Sequence, residues 1–132
     1  MLGVAIGMSQ EGLVPVCYSM SSFVLYRPFE FIRNYLNHEG ANVKLVGSGR
    51  DQDYEHDGIS HWAHDDELIL RALPNIKIYK PKTLEELEHF GSGLLADLGK
   101  SVTTSKGLYS RQDWIGKVFN SCHGSRCSCW RW

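Results

Sequence analysis

The chain has 132 residues, with 14 basic and 15 acidic side chains giving a formal charge of −1 at neutral pH, and 42% of its residues are apolar. That balance excludes a domain held to nucleic acid by bulk positive charge and a solvated acidic tail, and the apolar share excludes disorder and collagen-like repeats. A chain this long buries roughly two thirds of its unfolded surface, enough for one core.

No run of eighteen apolar residues occurs, so no membrane span is expected. The apolar start at residues 1–8 lacks a basic lead and stops at Gln10-Glu11-Gly12, too short for a secretion signal, which makes the cytoplasm the expected compartment. Three of the four cysteines, Cys122, Cys127 and Cys129, crowd into the last eleven residues, whereas a disulfide framework spreads along its chain. Charge is uneven: residues 1–100 carry 9 basic and 14 acidic groups, a net −5, and residues 101–132 carry 5 and 1, a net +4. The periodic patterning fades at the same place. The expected division is therefore a folded body over 1–100 and a diverged Cys/Trp-rich tail over 101–132, whose blander reading is a disordered end.

In chain order, Leu13-Val14-Pro15-Val16-Cys17-Tyr18 is a short continuous apolar run that predicts a strand covered on both faces, with Pro15 near its start. Pro28 opens a helix in which Phe29, Ile32 and Leu36, with Phe31 and Tyr35, recur at three- and four-residue spacing until Gly40 stops it in a left-handed conformation. Val43-Lys44-Leu45-Val46 predicts a second strand. Leu68, Leu70, Ala72 and Leu73 follow the carboxylates Asp65-Asp66-Glu67, which favour the positive end of a helix, and Pro74 ends that segment. Asn75-Ile76-Lys77-Ile78-Tyr79 predicts a third strand. Thr83-Leu84-Glu85-Glu86 has capping-box spacing and predicts a helix striped by Leu84, Leu87, Leu94, Leu95 and Leu98.

Strand alternating with helix predicts an α/β fold, a three-layer parallel sheet with helices on both faces, whose ligands gather beyond the carboxyl ends of the strands. One connection at that edge is unusual. Residues 51–67 hold seven carboxylates and the histidines His56, His61 and His64, with no Lys or Arg. Imidazole and carboxylate are competent ligands for a divalent metal, although the spacing matches no tight zinc motif, and the bland alternative is a solvated acidic loop. In the tail, Cys122, His123, Cys127 and Cys129 supply four soft ligands in a cramped arrangement, and Trp130 and Trp132 among basic residues could stack on single-stranded nucleic acid. Neither a metal site nor a nucleic-acid partner is the favoured reading.

Several segments taken in order carry a third reading of the acidic loop. They are Gly3-Val4-Ala5-Ile6-Gly7-Met8; Ser22-Phe23-Val24-Leu25-Tyr26-Arg27-Pro28-Phe29 with the residues to Asn34; Val43-Lys44-Leu45-Val46-Gly47; Asp57-Gly58-Ile59-Ser60-His61; Arg71-Ala72-Leu73-Pro74-Asn75-Ile76; and Tyr79-Lys80-Pro81. Over about residues 1–90 they resemble the pyrimidine-binding domain of transketolases, the group that includes 1-deoxyxylulose-5-phosphate synthase and the split, two-subunit transketolases. Each match is weak alone; six in order are specific.

The resemblance implies thiamine diphosphate with Mg²⁺, an electron sink for moving a two-carbon ketol fragment between sugar phosphates. By resemblance Phe23 contacts the face of the aminopyrimidine ring, with Tyr26 and Phe29 beside it. An aromatic wall suits a planar heterocycle, while the spacing of Phe29 with Ile32 and Leu36 is equally that of helix core. Also by resemblance, His61 and Asp57 reach hydroxyl or phosphate oxygens of the substrate. Where relatives often have a second substrate histidine this chain has Ser48-Gly49-Arg50, and Arg50 is a candidate phosphate ligand. The family's activating glutamate would stand three positions before Met1, so no catalytic residue is assigned. The Gly-Asp-Gly motif for metal and diphosphate belongs to a companion domain, and Mg²⁺ is expected there. The expectation is a truncated subunit that is inactive alone and forms a homo- or hetero-oligomer with a diphosphate-binding transketolase subunit. The alternative is an inactive remnant serving as a dimerisation or scaffold module.

Overall fold

A computed structural model describes residues 1–49, 52–83, 85, 86 and 89, together with the backbone of 101–105 and 127–131. The chain opens with helix α1, Leu2–Gln10, which turns Leu2, Ala5 and Ile6 inward. Strand β1, Val14–Met20, follows through Gly12 at φ 82. The chain then passes directly into α2, Ser21–Leu25. A third helix, α3, begins as one α turn over Phe29–Phe31 and continues with the wider π bonding pattern over Ile32–Glu39. Gly40 ends it at φ 89, the left-handed stop that its position predicts.

Strand β2, Lys44–Ser48, leads to a single 3-10 turn at Glu55–Asp57, then to α4, Asp66–Arg71, and to β3, Lys77–Tyr79. The backbones of Ser101–Ser105 and Cys127–Arg131 form β4 and β5. Among the described residues the five strands are parallel, in the order β3-β4-β2-β1-β5. Two stretches of the Cys/Trp-rich segment thus lie in the sheet, one beside β1 and one between β2 and β3. The helix stripe anticipated at Leu84, Leu87, Leu94, Leu95 and Leu98 lies outside the described residues, as do the side chains of Cys122, His123, Cys127, Cys129, Trp130 and Trp132.

The parallel α/β expectation holds because β1 and β2 are buried on consecutive rather than alternate residues, from Pro15 to Cys17 and from Lys44 to Gly47. Cys17, Leu45 and Val43 are fully buried and meet Val24, Leu25, Ile32 and Leu36 from the helices. The α4 pattern differs from expectation at two residues, Leu68 and Ala72, which are both exposed. Leu68 is 76% exposed while Leu70 and Leu73 are buried. Two residues advance a helix by about 200°, so Leu68 and Leu70 cannot share a face.

Two polar devices fix the ends of elements. Asn75 donates its backbone N–H to Asn37 Oδ1 at 3.0 Å and its Nδ2 to the Asn37 carbonyl at 2.9 Å, which ties the entry of β3 to the end of α3. Thr83 Oγ1 accepts the Glu86 N–H at 3.2 Å, as a capping box requires. The reciprocal bond is displaced by one residue, for Glu86 Oε2 accepts the N–H of Lys82 at 2.6 Å.

Candidate functional site

The carboxyl end of β1 runs without a loop into α2, so Phe23 stands three residues past the strand. This is possible because β2 carries Gly47 at the point of closest approach. A Cβ there would lie 2.6 Å from Ser21 Oγ and 3.1 Å from Ser21 Cα. Ser21 Oγ donates to the Ser48 carbonyl at 3.1 Å and pins the start of α2 to the end of β2.

Phe23 is half-buried and lines a groove of about 340 Å³ with Leu2, Gly3, Val24, Arg27 and Phe31. The Arg27 guanidinium carbon sits 3.8 Å from the Phe23 ring centroid. From another side His61 meets the same ring edge-on, with centroids 5.0 Å apart and planes at 62°. The His61 Nδ1 lies 2.9 Å from Ser60 Oγ, and the Tyr54 ring is tilted towards His61 at 6.5 Å. Tyr54 in turn occupies the space beside Gly49, whose φ is 76. A Cβ at Gly49 would fall 1.9 Å from the Tyr54 ring.

The structure therefore brings Phe23 and His61 into contact, although 38 positions separate them in sequence. It places Tyr26 and Phe29 elsewhere: both pack against the buried core. The Tyr26 hydroxyl donates to Asp65 Oδ1 at 2.5 Å, linking the end of α2 to the start of α4. Burial, followed by that bond and the charges of Asp65 and Asp66, holds the Tyr26 hydroxyl far above its ordinary ionisation range. Asp57 is exposed in the 3-10 turn, and Arg50 lies outside the described residues. His56 is exposed in the same turn, and His64 meets Trp62 at 6.3 Å. The three histidines of the acidic loop thus part company, and among the described residues no three His, Cys, Asp or Glu side chains converge as a metal requires.

Beyond Asp65, α4 closes a charge cluster with the end of β3. Lys80 Nζ lies 2.9 Å from Oδ1 of Asp66, whose side chain is only 1% exposed, and 2.8 Å from Glu67 Oε2. Arg71 also donates to Glu67. The bond from Lys80 first, and that from Arg71 second, lower the Glu67 carboxyl to about 2 from an ordinary 4.5. A lowered carboxyl stabilises the fold above its unfolded value and loses that contribution as the proton is taken up. The stability gained from Glu67 is therefore expected to be complete above about pH 5 and to fall away from there towards pH 2. Urea unfolding of wild type and Glu67→Gln at a series of pH values checks this, the Gln variant having the shallower loss of stability between about pH 5 and pH 2.

Reading the sequence segment by segment missed Arg27, Tyr54 and Asp65. Of these only Arg27 had a usable signal, its place in the aromatic segment that begins at Ser22.

Residues 1–109 match the family model described as the pyrimidine-binding domain of transketolase. A putative transketolase C-terminal section from Methanocaldococcus jannaschii is 35% identical over 81 residues, covering 61% of this chain and 26% of the relative. A 6-deoxy-6-sulfo-D-fructose transketolase subunit from Clostridium sp. is 30% identical over 99 residues, covering 75% and 31%. Among solved structures, a split gene transketolase described as an inactive β4 tetramer superposes with a TM-score of 0.68 at 27% identity, covering 79% of this chain and 33% of that one. The chain thus spans about a quarter to a third of the length of these proteins.

Proposed function

Because the chain belongs to the transketolase pyrimidine-binding domain family, we propose that it contributes the aminopyrimidine half of a thiamine diphosphate site, completed by a diphosphate-binding partner subunit or domain that holds the Mg²⁺. The observation that carries the proposal is Phe23. Its ring is half-buried at the carboxyl edge of the parallel sheet and opens on a groove large enough for a flat heterocycle. Apolar Leu2, Val24 and Phe31 around it favour such an occupant over a hydrated ion. Tyr26 and Phe29 support the wall from behind: they fix α2 and α3 against the core. Thiamine diphosphate supplies, when bound, the electron sink for transfer of a ketol unit between sugar phosphates.

The chain's own residues orient and exclude water. With Ser60 engaging Nδ1, His61 keeps Nε2 as the ring atom for a hydrogen bond to a substrate oxygen. Asp57, exposed at the rim, is placed to accept from a sugar hydroxyl.

The test is reconstitution. The full chain, mixed with a diphosphate-binding transketolase subunit, Mg²⁺ and a ketose phosphate donor, is expected to show thiamine diphosphate-dependent ketol transfer. Phe23→Ala is expected to weaken cofactor binding about tenfold, the equivalent of about 1.4 kcal/mol for a lost stacking surface, with the unfolding midpoint little changed. Assembly without cofactor binding would favour the scaffold role instead.

A further inference from the structure

Phe23 lies in α2, and Arg27 lies two residues beyond its end, in the turn that leads to α3, from which its side chain reaches back over the ring. The guanidinium carbon stands 3.8 Å above the ring centroid, the separation of two stacked flat groups. Both residues line the groove, whereas His61, which meets the ring edge-on, does not. The guanidinium thus lies over the ring at the border of the groove. Arg27 itself is exposed, and among the described residues no carboxylate pairs with it, so the contact with the ring is what holds its head group in place.

We propose that the Arg27 guanidinium is a built-in occupant of the stacking face, which a planar heterocyclic ligand must displace in order to lie on Phe23. The inference rests on Phe23 being the aromatic wall. A guanidinium is a planar, weakly hydrated cation, and it takes the same electron-rich surface that an electron-poor heterocycle seeks. The groove is thereby kept free of bulk water on its aromatic side before the ligand arrives. The consequence is an affinity lower than the bare ring could give. An exposed cation–π contact of about 0.5–1 kcal/mol corresponds to a two- to fivefold penalty on the dissociation constant.

The experiment is an NMR titration of the full chain with thiamine, used without its phosphates so that partner contacts do not enter. In the free protein the Arg27 side-chain protons are expected to show an upfield ring-current shift that Phe23→Leu removes. On adding thiamine, wild type is expected to lose that shift with the midpoint at which the ligand binds. Arg27→Met, which keeps the stem without the planar cation, is expected to bind thiamine two- to fivefold more tightly. Binding that leaves the Arg27 shift intact at saturation overturns the proposal. So does an Arg27→Met variant that binds equally or more weakly, since Arg27 would then be indifferent to the ligand or a contact for it. If neither protein binds thiamine at millimolar concentration, the reading of Phe23 fails and the displacement falls with it. The wild-type measurement needs no variant, so misfolding of Arg27→Met leaves the proposal open to refutation.

Discussion

Replacing Lys80 by methionine is expected to lower the free energy of unfolding by about 3 kcal/mol, the lower end of what breaking a buried ion pair costs. The side chain of Asp66 is 1% exposed and that of Lys80 only 15%, so neither is well hydrated. Oδ1 of Asp66 has Lys80 Nζ and the Glu67 N–H as partners, while Oδ2 has none among the described residues. Removing the ammonium leaves a carboxylate with half its hydrogen bonding inside the fold. The loss is therefore one of an uncompensated buried charge, and adding Asp66→Asn to the Lys80→Met chain is expected to recover part of it. Urea unfolding followed by circular dichroism on the single and double variants checks this. A Lys80→Met loss below about 1 kcal/mol would place the pair among surface contacts, where such values are usual.

Gly47→Val is expected to cost about 2 kcal/mol and to disturb the groove at the same time. Overpacking a tight contact typically costs 1–3 kcal/mol. Here the obstruction includes backbone, with Ser21 Cα 3.1 Å from the added Cβ, so rotating one side chain cannot relieve it. Helix α2 must move, and it carries Phe23. The variant is expected to show a lowered unfolding midpoint together with loss of the NMR contacts between the Phe23 and His61 rings. Ser21→Gly in the same chain removes the 2.6 Å clash with Oγ but not the approach of Cα, so it is expected to restore stability only in part. Full stability of Gly47→Val would show that α2 is not held at this distance.

The three strands and the helices after Pro28 and Asp65 were legible within the first eighty residues because their signals are local, whereas the short α2 at Ser21–Leu25 carried none. A continuous apolar run around Cys17 signalled a two-sided strand, and Gly40 after Leu36 signalled a left-handed helix end. Leu68 is apolar yet faces solvent, because its angle about the helix axis and not its side chain alone decides burial. The segments Ser101–Ser105 and Cys127–Arg131 join the sheet through backbone pairing with β1, β2 and β3, and pairing between distant strands leaves little trace in either segment alone.

The site divides in the same way. Order and spacing of motifs pointed to Phe23 and His61 as residues of one family pattern, and a family pattern is a property of sequence. That their rings touch at 5.0 Å depends on the geometry of parallel pairing, which sets the ends of β1 and β2 side by side with Ser19 opposite Gly47. Tyr26 stood within the same aromatic segment, yet its hydroxyl goes to Asp65, 39 positions away.

From the amino acids alone came the alternation of strands and helices, the family resemblance and the aromatic residue Phe23, because hydrophobic period, turn chemistry and motif order act over a few residues at a time. Tertiary structure alone decided which groups share the groove, that Arg27 covers Phe23, and that Lys80 neutralises a buried Asp66. Each of these is a close approach between side chains across a turn or on distant segments. Burial and distance, which set the strength of such contacts, exist only once the sheet has assembled.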